Sequence, residues 1–283
     1  MKVIMCFEET IPIVFALLLG MITGSFLNVV AWRIPRGESI VHPRSRCTSC
    51  GALIKWYDNI PVLSWFILRG RCRNCGGHFS FRYALVELIT GLLFAGIVLK
   101  YGAGILFIRD AAFLSLLVCV ILTDIDHWII LDSVSIGGAI AGIAFSILPG
   151  GIGILRSVST AAAAFLLFFL IRQLSKHILK KKPDYAIAPE GHEDETDEFQ
   201  GGMGWGDIKL AAMIGAFLGP SATIVALFIA FLTGALTGIA AMIAGRNKRI
   251  PIPFGPFLAL GAAASLFFGH EIWSLYLTIG LNY

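Results

Sequence analysis

Charged residues are scarce in this sequence. Of its 283 residues, only 14% are Asp, Glu, Lys or Arg, whereas a soluble domain carries about 25%. Hydrophobic residues make up 57% of the chain, and the mean hydropathy is +0.81. This composition excludes an ordinary water-soluble domain and predicts an all-α polytopic protein embedded in the lipid bilayer. The formal net charge is only +4, and we expect no nucleic acid partner.

Long hydrophobic runs predict about eight membrane-spanning helices, because a span needs about 20 mostly apolar residues. The segment before the first run is acidic rather than basic, and no small-residue cleavage site follows the run. We therefore expect the first run to be a retained span rather than a cleaved signal peptide. The fourth and sixth runs are short. The predicted spans cover residues 11–32, 83–101, 104–123, 134–149, 157–174, 206–219, 221–244 and 256–281.

The distribution of Lys and Arg predicts how the chain is oriented in the membrane. Loop 33–82 holds nine of these cations against two acids, Glu38 and Asp58. Positively charged loops stay in the cytoplasm, so we expect this loop to be cytoplasmic. With eight spans, three further loops lie on the same side, namely 124–133, 175–205 and 245–255.

Cysteine is also rare, yet four of the six cysteines form two close pairs. Cys47 and Cys50 make one CxxC pair, Cys72 and Cys75 make the other, and a glycine follows each pair. Four thiolates satisfy tetrahedral zinc, and disulfides are disfavoured on the cytoplasmic side. The spacing predicts a structural zinc site, with redox chemistry or another metal as the alternatives. The remaining two, Cys6 and Cys119, are interpreted as ordinary thiols.

Two aspartates lie at the cytoplasmic ends of predicted spans. Asp124 ends the third span, and Asp207 begins the sixth. A carboxylate at membrane depth is costly and marks a candidate functional site. Two such acids that meet would share one proton, as in aspartic proteases, where one carboxylate activates water and the other polarises the scissile carbonyl. The alternative is that each acid faces water at the end of its span.

The neighbours of Asp207 fit the protease interpretation. Gly204 and Gly206 allow the backbone to approach closely and leave room for an extended substrate strand. Lys209 either offsets the charge of Asp207 or extends its ammonium group to the membrane surface. Near the other acid, Asp126 and Asp132 are interpreted as interfacial acids. His127 is either a proton shuttle or an ordinary interfacial residue.

The sequence resembles the type IV prepilin peptidases over essentially its whole length. GMGWGDIKLAAMIGAFLG is similar to their GxGD signature, which presenilin-like proteases share. The other similar segments are GSFLNVVAWRIPRGESI, WYDNIPVLSW between the CxxC pairs, TDIDHWIILD and IPFGPFLALGA, and they follow the order of the family. These segments occupy residues 24–40, 56–65, 123–132 and 252–262.

The resemblance implies a bifunctional enzyme of the bacterial inner membrane. Such an enzyme cleaves type IV prepilins and type II secretion pseudopilins after a glycine at the cytoplasmic face. It then methylates the new N-terminal residue, usually Phe, with S-adenosylmethionine. The resemblance implies Asp124 and Asp207 as the catalytic pair, supported by Gly204, Gly206 and Lys209, and Cys47, Cys50, Cys72 and Cys75 as zinc ligands. Leu131 departs from the family, which often has proline there.

The methyl donor site has no signature of its own in the sequence. A glycine-rich strand-turn-helix cofactor motif is absent from the sequence. The first candidates for S-adenosylmethionine contacts are Gly24, Asn28, Arg33, Arg36 and Glu38. Their alternative roles are helix packing and anchoring of the cytoplasmic side. The acidic stretch 190–199 is either a solvated loop or a surface that attracts basic prepilin leaders.

Two rival functions remain open at this point. The first is a presenilin-like protease without methylation, against which the cysteine-rich loop argues. The second is a proton-coupled transporter with Asp124 and Asp207 as proton relays, against which the lack of an evident internal repeat argues. The predicted regions are a first span over 1–32, a tetracysteine and methyltransferase loop over 33–82, and a seven-span peptidase domain over 83–283 with an acidic cytoplasmic loop near 183–200.

Overall fold

The computed structural model describes residues 2–178, 203–244 and 253–281, and side chains within 10–177, 203–244 and 253–279. The described residues form helices joined by loops. They contain no β-strand, apart from two isolated β-bridges, Arg46 with Leu53 and Arg71 with His78. The prediction of an all-α protein is confirmed. The helices are α1 (Lys2–Arg33), α2 (Leu63–Ile67), α3 (Phe81–Tyr101), α4 (Leu106–His127), α5 (Asp132–Phe145), α6 (Ile154–Ile178), α7 (Trp205–Leu218), α8 (Pro220–Ile243) and α9 (Gly255–Leu281).

Each of the eight predicted spans corresponds to a helix, but two of these helices are short. Helices α5 and α7 have 14 residues each. At 1.5 Å per residue they extend about 21 Å, which is less than the hydrocarbon thickness of about 30 Å. The count of eight spans is therefore approximate. Within the described ranges, six helical segments are long and apolar enough to cross a membrane: Thr10–Arg36, Phe81–Tyr101, Leu106–His127, Ile154–His177, Pro220–Ile243 and Gly255–Ile279.

The chain forms two compact units, Met1–Thr123 and Asp124–Tyr283. In the first unit, α1 packs along α3 through glycines. A Cβ atom on Gly20 would lie 2.6 Å from the carbonyl oxygen of Thr90, and one on Gly91 would lie 2.7 Å from Cγ of Met21. Only glycine allows the two backbones to approach so closely. This packing places the C-terminal end of α1 beside the start of α3.

In the second unit, the short helix α7 is packed among α5, α6, α8 and α9. Most of its apolar side chains are buried, and Ile208, Leu210 and Met213 are fully buried. Ser157 of α6 donates a hydrogen bond of 2.7 Å to the carbonyl oxygen of Ala216. These contacts fix α7, and with it the first helical turn that carries Asp207.

Candidate active site and metal centre

The four cysteines of the CxxC pairs converge on one point in the loop between α1 and α3. Their sulfur atoms all lie within 4.8 Å of one another, and the thiols are free. Sγ of Cys47 and Sγ of Cys75 are 3.8 Å apart. Two sulfurs bound tetrahedrally to zinc at about 2.3 Å would be about 3.8 Å apart. The cluster can therefore hold a metal ion with four sulfur ligands.

The two CxxC pairs have nearly identical backbone geometry. The first cysteine of each pair accepts a hydrogen bond of 2.9 Å at its carbonyl oxygen from the N–H of the following glycine, Gly51 or Gly76. These glycines have φ values of 71° and 72°, in the left-handed region that favours glycine. Each CxxC pair therefore lies in a tight turn, from which both of its sulfurs reach the cluster.

Backbone hydrogen bonds favour the thiolate form of Cys47, the buried member of the cluster. Hydrogen bonds from the backbone N–H groups of Cys50 and Ser49 lower the pKa of Cys47 to about 6. Arg73, inside the second CxxC pair, instead binds Asp58 with both its Nη2 and Nε atoms, at 2.7 and 3.0 Å. The hydrogen bond from Arg73 lowers the pKa of Asp58. This pair ties the short helical turn Trp56–Asn59 to the metal centre.

Asp124 lies near the end of α4 and is 6% exposed. Its Oδ2 atom accepts a hydrogen bond of 3.0 Å from the backbone N–H of Gly255, the first residue of α9. A Cβ atom at position 255 would lie 2.5 Å from the same oxygen. The sequence segment around Gly255 contributed to the resemblance, but its contact with Asp124 was not predicted. Only the absence of a side chain lets α9 begin against this carboxylate.

Asp207 lies in the first turn of α7 and is half-buried. Its neighbour Gly206 packs on Ile130, and a Cβ atom at position 206 would lie 2.8 Å from Cβ of Ile130. The same isoleucine lies 3.2 Å from the Cβ position of Gly255, which binds Asp124. Ile130 therefore contacts both Gly206, which precedes Asp207, and Gly255, which binds Asp124. The structure brings the two predicted aspartates into one neighbourhood.

Lys209 forms an ion pair with Asp132, and its Nζ atom is 2.6 Å from Oδ1. Asp132 begins α5, so the pair links the first turns of α5 and α7. The sequence predicted roles for both residues but not this contact. The side chain of Asp132 is 63% exposed, and ion pairs in such positions contribute at most about 1 kcal/mol.

Arg172 was missed by the sequence analysis. This residue of α6 is 3% exposed, and its Nη1 atom donates a hydrogen bond of 2.6 Å to the carbonyl oxygen of Met203. Its guanidinium carbon lies 4.9 Å from the centre of the Trp205 ring. Its position as a lone cation inside the predicted span 157–174 would have marked Arg172 as a candidate functional residue. Arg172 holds the backbone immediately before Asp207.

A cavity of about 690 Å³ lies in the first unit. Of the predicted donor-binding residues, Asn28, Arg33 and Glu38 line it. Arg33 also donates hydrogen bonds to the carbonyl oxygens of Ser39 and Pro43, at 2.9 and 2.8 Å, and so shapes the adjoining loop.

The other two predicted donor contacts have packing roles in the structure. A Cβ atom on Gly24 would lie 2.8 Å from Cα of Glu87, and Arg36 lies over the ring of Trp32 at 3.6 Å. The acidic stretch 190–199 lies outside the described residues.

Comparison with known proteins identifies the family. The bacterial peptidase A24 N-terminal domain matches residues 18–101, and the type IV leader peptidase family matches residues 111–239. A prepilin leader peptidase/N-methyltransferase of Bacillus subtilis (strain 168) is 33% identical, over 93% of this chain and 97% of its own length. The chain belongs to the type IV leader peptidase family. The predicted resemblance is confirmed.

Other members of the type IV leader peptidase family show the same relationship. The prepilin leader peptidase/N-methyltransferase of Myxococcus xanthus is 40% identical over 82% of this chain, and the match spans 63% of that relative's length. The enzyme of the same name from Aeromonas hydrophila is 31% identical over 92% of each chain. No solved structure matches the chain.

Proposed function

We propose that this member of the family is a prepilin leader peptidase and N-methyltransferase of the bacterial inner membrane. Its substrates are type IV prepilins and type II secretion pseudopilins, which it cleaves after a glycine and then methylates at the new N-terminal residue. The observation that carries the proposal is the approach of the Asp124 and Asp207 segments to the shared residue Ile130, in the part of the chain that matches the leader peptidase family.

The peptidase step uses Asp124 and Asp207 as a pair. One carboxylate takes a proton from water, and the protonated partner donates a hydrogen bond to the scissile carbonyl. The proton then passes to the leaving amine, and the acids titrate as a pair rather than individually. The hydrogen bond from Gly255 orients Asp124, and the missing side chains of Gly204 and Gly206 leave space for an extended substrate backbone.

The metal centre is proposed to be structural zinc. Cys47, Cys50, Cys72 and Cys75 supply four ligands, which leaves no coordination position for a reacting water. Metal binding then closes a cytoplasmic loop that has little apolar core of its own. The nine Lys and Arg residues of loop 33–82 support its cytoplasmic location.

The cavity of the first unit fits a small methyl donor. Its volume of about 690 Å³ is in the range of small-molecule sites, about 300–1,000 Å³. Its lining includes an indole ring on Trp32, an amide on Asn28 and a carboxylate on Glu38, which suit a ligand with planar, polar and cationic parts. S-adenosylmethionine, when bound, supplies an electrophilic methyl group. The proposed contacts are Asn28, Arg33 and Glu38, which line the cavity, with Gly24 in α1 and Arg36 in the turn that follows α1.

The regional division predicted from the sequence is retained as part of the proposal. Residues 33–82 belong to the metal-binding and methyltransferase region, and residues 83–283 carry the peptidase aspartates. The start of this second region, in α3, also lines the cavity of the first unit. The acidic segment near 183–200 attracts basic leaders at the cytoplasmic face. Neutralising its carboxylates should raise the KM for a basic prepilin most strongly at low salt, as measured by leader cleavage at two ionic strengths. An unchanged salt dependence would reject this role.

The proposed function is tested with the purified full-length protein in detergent or nanodiscs. Incubation with a prepilin and labelled S-adenosylmethionine should release the leader and label the mature N-terminus. Cleavage without labelling would support a presenilin-like protease. Neither product, together with proton flux in liposomes, would support a transporter.

A further inference from the structure

A buried carboxylate outside the aspartate pair, on α3, is not used by the peptidase step. Glu87 is 9% exposed, sits on the spanning helix α3 and lines the cavity of the first unit. Within the described part of the chain, no ion pair to Glu87 is present. A buried carboxylate inside a membrane helix is costly, and a cationic ligand would offset that cost.

The position of this carboxylate is fixed by an unusual turn of the cytoplasmic loop. Oε2 of Glu87 accepts a hydrogen bond of 2.7 Å from the backbone N–H of Val62. Val62 has φ 62° and ψ −53°, and the N–H of Leu63 donates to the carbonyl oxygen of Pro61 at 2.6 Å. This is a γ-turn of the rare form with positive φ, and a β-branched residue is strained there. The surrounding structure thus holds Glu87 in one orientation, as expected at a functional site.

The cavity is lined from two sides, by the helices and by the loop between them. Ser25, Asn28 and Glu87 come from the spanning helices α1 and α3, whereas Arg46 and Thr48 come from the cytoplasmic loop. A soluble methyl donor reaches the loop wall from water. An apolar polypeptide anchored in the membrane brings its N-terminus along the helices, and therefore to the wall that carries Glu87.

We propose that Glu87 binds the α-ammonium group of the cleaved polypeptide and takes the proton that methylation requires. This inference rests on the proposed methyltransferase function. The ligand class is an apolar polypeptide with a free N-terminal amine. The ammonium gives one proton to the carboxylate, and the nitrogen lone pair attacks the methyl carbon of the donor. The N–C bond forms, the C–S bond breaks with its electron pair going to sulfur, and the protonated Glu87 releases its proton through the open cavity.

The first test is the pH profile of methylation by Glu87→Gln. The substitution retains an oxygen that can accept from Val62 but removes the charge. With a pre-cleaved substrate at pH 6, the variant should methylate at least about 100-fold more slowly than the wild type. The deficit should shrink about tenfold per pH unit up to about pH 8, because the free amine, whose ordinary pKa is about 7.7–8.0, then loses its proton to water. An equal deficit at every pH would overturn the proposal.

Several measurements separate this role from a structural defect. Glu87→Gln should retain leader cleavage and bound metal, and it should bind S-adenosylhomocysteine within about twofold of the wild type. A larger loss of that binding would assign Glu87 to the donor and reject the proposal. Glu271→Gln, the same change at an exposed glutamate of α9, should leave methylation unchanged. A wild type that cleaves but never methylates would reject the proposed methyltransferase function itself.

The second test uses only the wild-type protein, so it can still be done if Glu87→Gln does not fold. It measures whether the cavity recognises the free N-terminal amine. The probe is a short apolar peptide with N-terminal Phe, compared with its N-acetyl derivative, in a direct binding measurement with S-adenosylhomocysteine present. The free amine should bind at least about tenfold more tightly, because only it carries the charge that complements Glu87. Equal affinity would overturn the proposal.

Discussion

The metal centre and the aspartate site acquire their geometry in different ways. At the metal centre, each pair of sulfurs is placed by a turn of a few residues, and the second turn repeats the first. At the aspartate site, Asp124 and Asp207 lie on different helices. Gly255, distant in sequence, binds Asp124, and Arg172 binds the backbone of Met203 ahead of Asp207. A local spacing can therefore bring four sulfurs together, whereas the positions of the two aspartates depend on helix packing and on small residues at the contact points.

The largest effect expected is the loss of leader cleavage in Asp124→Asn and Asp207→Asn. Each change removes the proton exchange on which the pair depends, and cleavage should fall by at least about 1,000-fold. Both variants should keep their metal, because all four sulfur ligands lie in the first unit. The measurements are leader release and metal content of the purified variants.

If either variant folded and still cleaved the leader at a substantial rate, the contrast drawn between the metal centre and the aspartate pair would be wrong. The two aspartates would then not act as a pair, and the packing that positions them on α4 and α7 would not be needed for cleavage. A matched control is Asp126→Asn, which changes an exposed acid of the same helix α4 and should cleave at close to the wild-type rate.

The sequence predicted the helical fold and the convergence of the four cysteines well, for physical reasons. Apolar runs define helices in a membrane, and CxxC spacing almost determines where two sulfurs lie. It did not predict the contacts of Asp124 with Gly255 or of Lys209 with Asp132, because these depend on how helices pack rather than on local spacing. Arg172 was overlooked because one cation hardly changes the mean hydropathy of a long run.

The next largest effect concerns the metal centre, in the double variant Cys72→Ser with Cys75→Ser. Loss of two ligands should abolish stoichiometric metal binding and destabilise the loop, since structural zinc contributes about 10–16 kcal/mol of apparent binding free energy in small zinc-binding peptides. Methylation should fall with it, because Cys47 also lines the cavity. Metal analysis, thermal unfolding and labelling of the substrate check this.

Cys119→Ala is the control for the cysteine variant, because this buried thiol lies on α4 outside the cluster. It should retain the full metal content. If the double variant kept its thermal stability and its methylation rate without bound metal, the cluster would not be a structural metal site.

Gly255→Ala tests whether cleavage depends on the contact between Gly255 and Asp124. The added Cβ atom would lie 2.5 Å from Oδ2 of Asp124, so the carboxylate or α9 must move. A displacement of about 1 Å costs roughly 100-fold in rate, and kcat for cleavage should fall by about that factor. Gly137→Ala is the matched control, because a Cβ atom there meets nothing within 4 Å. Equal rates for the two alanine variants would show that Asp124 does not need this support.

A smaller effect is expected from Arg172→Met. The change removes the hydrogen bond to Met203 and the contact with Trp205, so the segment before Asp207 loses its anchor. We expect cleavage to fall roughly tenfold, mainly in kcat, because the acid is present but less well positioned. Arg172→Lys should recover part of the loss, since lysine can donate one hydrogen bond but lacks the planar guanidinium. The control is Arg156→Met, at an exposed position of the same helix, and a loss as large in that variant would rule out a positioning role for Arg172.

The smallest effect should come from the ion pair between Lys209 and Asp132. Because Asp132 is largely exposed, a double-mutant cycle with Lys209→Met and Asp132→Asn should give a coupling free energy of unfolding of at most about 1 kcal/mol. The cycle also decides how Lys209 supports catalysis. If Lys209 acts only by linking α7 to α5, both single variants should slow cleavage equally, and the double variant should be no slower than either. If Lys209→Met cleaved much more slowly than Asp132→Asn, the ammonium group would act on the aspartate pair itself. Part of the aspartate site would then depend on a short sequence spacing, from Asp207 to Lys209, as the cysteine cluster does.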